Sequence, residues 1–247
     1  MSDILDIPDF IVYELGIETA RLLNENQNKL SLITWSDGEA NIDTEYSKLA
    51  CEYCEIAWNK LQQKYPEYCN VKITCVIPDI NITFLYSNGK TLVRKIELKS
   101  SKSKKMPGST INNLDINQPL IYCLRPSNDF EPFKIRCSQY HSAMGDSNID
   151  LFQDRTPRPA INFEKMKDIN DILPFQKKDN YGKYSWVEHY ANCSLNRING
   201  LYSCHNSWQD VMIKIIKKKV LDEYITNTSI EEFCVDKNLL NSKRSKL

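Results

Sequence analysis

The sequence predicts an α/β protein. Three observations carry that prediction. Residues 44–68 repeat apolar side chains at three- and four-residue steps, the period of a helix. Three short apolar or alternating runs follow between residues 71 and 99, the lengths of strands. Pro78-Asp79 and Asn88-Gly89 punctuate those runs where turns belong.

In chain order, Phe10 to Leu23 reads as a short helix, followed by the apolar piece "LSLITW". The helix over 44–68 places Leu49, Tyr53, Ile56, Ala57 and Leu61 on one stripe, with Pro66 near its end. "VKITCVI" and "INITFLY" are two strands separated at Pro78-Asp79, and "TLVRKIELK" is a third. In that third strand Leu92, Ile96 and Leu98 share one face; Val93, Lys95, Glu97 and Lys99 share the other. Residues 100–109 are rich in Ser, Lys and Pro and read as a mobile loop. "PLIYCLRP" and "FKIRCSQYHSAM" supply a fourth and a fifth strand. Residues 145–185 carry no clear period. "SWQDVMIKIIKKKVLDEYI" closes the chain as an amphipathic helix, with a loose tail of about ten residues after it.

The chain has 247 residues, 41% apolar and 26% charged, so a buried core is within reach and wholesale disorder is not expected. Its net charge is zero, and no global basic field argues for nucleic acid. The acidic start "MSDILDIPDF" does not read as a signal peptide, and no apolar run reaches membrane-spanning length. A soluble, intracellular protein with reduced thiols is expected, its nine cysteines notwithstanding. Cys51-x-x-Cys54 falls within the long helix, and Cys193 with Cys204-His205 has poor spacing for a matching zinc pair, so buried thiols are the better reading. With seven glycines and no phosphate-cradling loop, no nucleotide cofactor is expected. His141, His189 and His205 stand in no motif for a nucleophile.

One stretch carries chemistry. Pro78-Asp79 is followed, after 17 residues, by Glu97-Leu98-Lys99 at the end of a strand. An ionised carboxylate and an ammonium are costly to desolvate there unless they pair or hold a metal. With Asn88-Gly89 as a two-residue turn, Ser87 pairs with Lys90, and counting outward sets Asp79 opposite Leu98. Asp79 is thereby delivered between Glu97 and Lys99, but on the opposite face. A one-residue bulge or a kink at Pro78 is needed to turn it.

The order helix, strand, Pro-Asp, strand, turn, strand ending Glu-x-Lys resembles the PD-(D/E)xK nuclease superfamily over about residues 44–125. The resemblance implies a restriction-endonuclease-like core, a mixed central sheet flanked by helices, at about 40–145 in a single domain, with 146–247 serving DNA recognition or dimerisation. It further implies that Asp79 and Glu97 bind Mg²⁺, helped by the Leu98 carbonyl. Lys99 then orients or activates the attacking water, and a helix glutamate contributes. Glu45 fits that place better than Glu52 or Glu55, because the helix should run antiparallel to the strand after it. The implied activity is a type II restriction-like endonuclease acting on double-stranded DNA as a homodimer.

"QPLIY", Gln118 to Tyr122, matches a Gln-x-x-x-Tyr element of RecB-like exonucleases, which with resolvases form the alternative. Pro119 and the lack of any histidine before His141 favour a plain buried strand at that place. A non-catalytic nucleic-acid-binding protein is the third reading. For DNA contacts the candidates are Lys102, Lys104 and Lys105 after the charged strand, and Arg155 and Arg158 in "QDRTPRP".

Overall fold

A computed structural model describes residues 9–35, 44–66, 68, 70–86, 89–109, 114–128, 131–144, 158–171 and 173–178. The chain divides into two compact units, residues 1–186 and 187–247. The second unit lies wholly outside the described residues, as do Arg155, His189, Cys193, Cys204, His205, the predicted helix over 207–225 and the tail.

The first unit is a mixed α/β structure. Helices α1 (Asp9–Glu25), α2 (Gln27–Ser31) and α3 (Thr44–Leu61) precede strands β1 (Val71–Val76), β2 (Asp79–Leu85) and β3 (Thr91–Ser101). Then come β4 (Lys105–Pro107), β5 (Pro119–Leu124), β6 (Lys134–Gln139), the single turn α4 (Tyr140–Ala143) and β7 (Ala160–Asn162). Five strands form one sheet in the order β1-β2-β3-β5-β6. All neighbours are antiparallel except β3 and β5. A parallel pair needs a long crossover, and residues 102–118 supply it, carrying β4 on the way.

One face of the sheet packs on α1 and α3. Ile80, Ile82, Phe84, Ile96, Leu98 and Ile121 point into that core. On α3 the buried positions are Tyr46, Ser47, Ala50, Cys51, Tyr53, Cys54, Ala57 and Trp58, while Ile56 is exposed. The expected stripe is thus rotated toward Trp58, whose ring meets Phe84 of the sheet edge-on. The helix also stops at Leu61 rather than running to Tyr68, and turns follow it. Side-chain amides close the free edge of β6. Asn24 exchanges two hydrogen bonds with the Ile135 backbone, and Gln27 does the same with Phe133.

The second core lies on the opposite face, over the far half of β3 and over β5. Leu120, Tyr122, Tyr140, Ile161 and Phe163 fill it, roofed by the small sheet β4–β7. The predicted mobile loop over 100–109 is therefore not a loop. β3 runs on to Ser101, only residues 102–104 turn, and Lys105–Pro107 pair with Ala160–Asn162. The fifth strand is shorter than predicted, because the chain winds into α4 at Tyr140.

Among the described residues no helix is long and apolar enough to cross a membrane. The cysteines at 51, 54, 75, 123 and 137 are free, and burial pushes the thiols of Cys54 and Cys137 well above the ordinary range.

Candidate active site

The hairpin β2–β3 decides where the charged residues point. Ile80 pairs with Ile96 and Leu85 with Thr91. The Tyr86 N–H donates to the Lys90 carbonyl and the Gly89 N–H to the Tyr86 carbonyl, so three residues, 87–89, join the strands. Gly89 has φ +78°, the left-handed conformation that closes a three-residue connection. The expected two-residue turn is thereby corrected, and every pairing shifts by one. Continuing the observed register sets Asp79 opposite Glu97, not Leu98, and the alternation then puts both on one face. Neither bulge nor kink is needed. β2 begins at Asp79 itself, which pairs with Val76 across a tight turn whose Ile77–Pro78 bond is cis.

Asp79, Glu97 and Lys99 therefore share a face at a fork in the sheet. β3 pairs with β2 up to Ile96 and with β5 from Glu97 onward. Just past the last β2–β3 pair, at the start of β2, the Leu98 N–H donates to Asp79 Oδ1 at 3.4 Å. In a strand the N–H and C=O of one residue point to the same side, so the Leu98 carbonyl also faces this fork.

Glu97 and Lys99 are only 4% and 9% exposed, and Lys99 Nζ lies 2.5 Å from Glu97 Oε1. The Glu97 carboxylate has two further donors. Ser109 Oγ donates to Oε1 at 2.5 Å, and Gln118 Nε2 donates to Oε2 at 3.3 Å. Among the described residues, the Leu98 N–H is the hydrogen-bond donor to Asp79. Burial, and then the negative charge of Glu97, push its carboxyl up to about 6, against the smaller pull of Lys99, the Leu98 N–H and Lys95. A carboxyl so perturbed, in a fork with a buried lysine, marks a candidate functional site.

Mg²⁺ suits this donor set chemically. It takes hard oxygen ligands, keeps several waters, and is commonly held by one or two carboxylates. Two carboxylates and a carbonyl meet that need, although no group of three or more Asp, Glu, His and Cys gathers among the described residues. A thiol- or imidazole-rich zinc site finds no basis here.

The other predicted residues are placed as follows. The N-terminal end of α3 does reach the β1–β2 turn, where Ser47 Oγ donates to the Pro78 carbonyl at 3.0 Å. Glu45 itself is exposed and accepts from the Thr34 N–H at 2.8 Å, and the charges acting on Asp79 do not include it. Lys104 pairs with Glu164 at 2.5 Å. Lys105 is exposed on β4, and Arg158 is half-buried just before β7. Lys102 and Arg125 line an open cavity of about 810 Å³ together with Trp35 and Phe133. The two rings there stack at 5.5 Å, and the Arg125 guanidinium lies 5.1 Å from the centre of the indole ring.

"QPLIY" is the start of β5, as the strand reading expects, yet Gln118 still touches Glu97. Tyr122 is buried and donates to the Ser103 carbonyl at 2.5 Å. Sequence reasoning missed Ser109 and Tyr140. No local motif marks either, because they reach Glu97 through contacts 12 and more residues apart. Comparison with models of protein families, with curated proteins and with solved structures finds no match.

Proposed function

We propose that this chain is a Mg²⁺-dependent deoxyribonuclease with a restriction-endonuclease-like core. In this reading it cuts double-stranded DNA internally at a short site, as a homodimer that reaches both strands. The observation that carries it is the convergence of Asp79, Glu97 and Lys99 on one face at the β2–β3 fork. Asp79, Glu97 and the Leu98 carbonyl would hold Mg²⁺, which when bound neutralises charge on the scissile phosphate and lowers the pKa of a bound water. Lys99, anchored on Glu97, orients that water and offsets charge developing on the phosphate oxygens. Ser109 and Gln118 keep the Glu97 carboxylate turned toward the fork. Lys102 and Arg125, beside the stacked rings of Trp35 and Phe133, offer cations and a flat apolar wall for a nucleic-acid strand.

The contact between Gln118 and Glu97 favours a second reading, a RecB-like exonuclease or a resolvase. A closed circular plasmid separates an end-dependent exonuclease from an endonuclease, because it offers no ends. With Mg²⁺ the wild type is expected to nick or linearise it, and Glu97→Ala and Lys99→Ala to lose at least about 100-fold in rate. Digestion confined to linear DNA would transfer the assignment to the exonuclease. A wild type that binds DNA and never cuts would leave a non-catalytic binding protein, and variants that cut as well as the wild type would overturn the catalytic roles of Glu97 and Lys99.

A further inference from the structure

Glu97 is held by two side chains that come from distant parts of the chain, Ser109 and Gln118. Both are fixed by one residue. The Tyr140 N–H donates to the Gln118 carbonyl at 2.9 Å, and the Tyr140 hydroxyl oxygen accepts from the Ser109 N–H at 2.6 Å. Tyr140 is fully buried where β6 turns into α4, so its ring cannot move away to solvent. The segment carrying Ser109 is pinned on its other side too, by β4–β7 pairing and by the Gly108 N–H donating to the Pro159 carbonyl at 2.8 Å. Gly108 is required there. A Cβ would fall on the Tyr140 hydroxyl oxygen and within 2.6 Å of the Pro159 carbonyl oxygen.

We infer that Tyr140 is a positioning residue, which acts through Ser109 and Gln118 to hold the Glu97 carboxylate ready for a divalent cation. The inference rests on the nuclease reading and extends it to a residue that touches neither metal nor substrate. The physical reason is orientation. A carboxylate next to Lys99 is drawn onto the ammonium, and donors on both oxygens fix its plane so that a lone pair remains aimed at the fork. Outer partners of metal ligands commonly change metal affinity by about 10- to 100-fold when removed.

The test uses Tyr140→Phe, which deletes only the hydroxyl and keeps the ring, together with Ser109→Ala and Ser109→Thr. Calorimetric titration of the DNA-free full chain with Mn²⁺ and Mg²⁺ is the primary readout, and the Mg²⁺ concentration for half-maximal plasmid cleavage is the second. Tyr140→Phe and Ser109→Ala are expected to weaken ion binding about 10-fold or more and to raise the half-maximal Mg²⁺ by a like factor. Ser109→Thr, which keeps a hydroxyl, is expected to recover most of the affinity. Ion affinity unchanged in Tyr140→Phe would overturn the positioning role and leave the nuclease reading intact. A wild type that binds the ion but cuts nothing would remove the nuclease reading and leave the effect of Tyr140 on binding to be read from the calorimetry. A wild type that binds neither ion without DNA would overturn the positioning role, and one that in addition cuts no plasmid would overturn the nuclease reading as well.

Discussion

At the scale of single residues, Asp79 carries the electrostatic cost of the site. Its carboxyl titrates at about 6 rather than 3.8, so the folded protein holds that proton more tightly than the unfolded chain. Stability therefore falls as pH rises from about 4 to 6 and stays lowered above that. Asp79→Asn removes the charge, and the prediction is a gain at pH 7 of about 1–2 kcal/mol, a few degrees in Tm, that shrinks toward pH 4. Thermal denaturation across that pH range checks it, and equal melting temperatures at pH 7 would count against a desolvated Asp79. Function runs the other way. In the proposed nuclease, cation binding needs the ionised carboxylate, so the Mg²⁺ requirement for cleavage should climb as pH drops below about 6. The Glu97–Lys99 pair was legible in the sequence as charges on one strand face, but Ser109 was not. A serine in a run of Ser and Lys has no local property that distinguishes a half-buried donor from a solvated one.

At the scale of elements, chain length in one turn decided the site. A strand alternates its faces at every residue, so a connection of three residues instead of two exchanges which side chains meet. The sequence carried the Asn-Gly signal for a hairpin but not the number of residues in its connection. The segment after β3 shows the same limit. Its Ser, Lys, Pro and Gly composition suggests a loop, and pairing with β7, more than 50 residues later, made it β4. That strap can be tested at Gly108. Gly108→Ala drives a methyl group into Tyr140 and the Pro159 carbonyl, and is expected to cost about 2–3 kcal/mol in urea denaturation. A wild-type midpoint would mean that the strap yields without penalty. Under the proposed nuclease reading, cleavage should fall with it, since Ser109 is the next residue.

At the scale of the molecule, the sheet separates two cores and the fork opens where they meet. α1 and α3 cover the face carrying Ile96 and Leu98; β4, α4 and β7 cover the face carrying Glu97 and Lys99. The ion pair is buried by this second layer, which gives Lys99 a fixed position. Lys102 follows β3 and Arg125 follows β5, and both border the cavity with Trp35 and Phe133. If the chain binds DNA as proposed, replacing both Lys102 and Arg125 by Ala should weaken that binding and reduce the slope of log affinity against log salt by about 2 for duplex DNA. Fluorescence anisotropy at several salt concentrations measures the slope. An unchanged slope would exclude both cations from the phosphate contacts.

The sequence alone determined the α/β class, the strands that make up the hairpin and the pairing of Glu97 with Lys99 on one face. Those features follow from local period and composition, which act within a few residues. Only the tertiary structure decided that Asp79 joins them, that Glu45 faces Thr34, and that Tyr140 ties Ser109 and Gln118 to Glu97. Each of those depends on register or on contacts between remote segments, and such contacts leave no mark on the residues nearest in sequence.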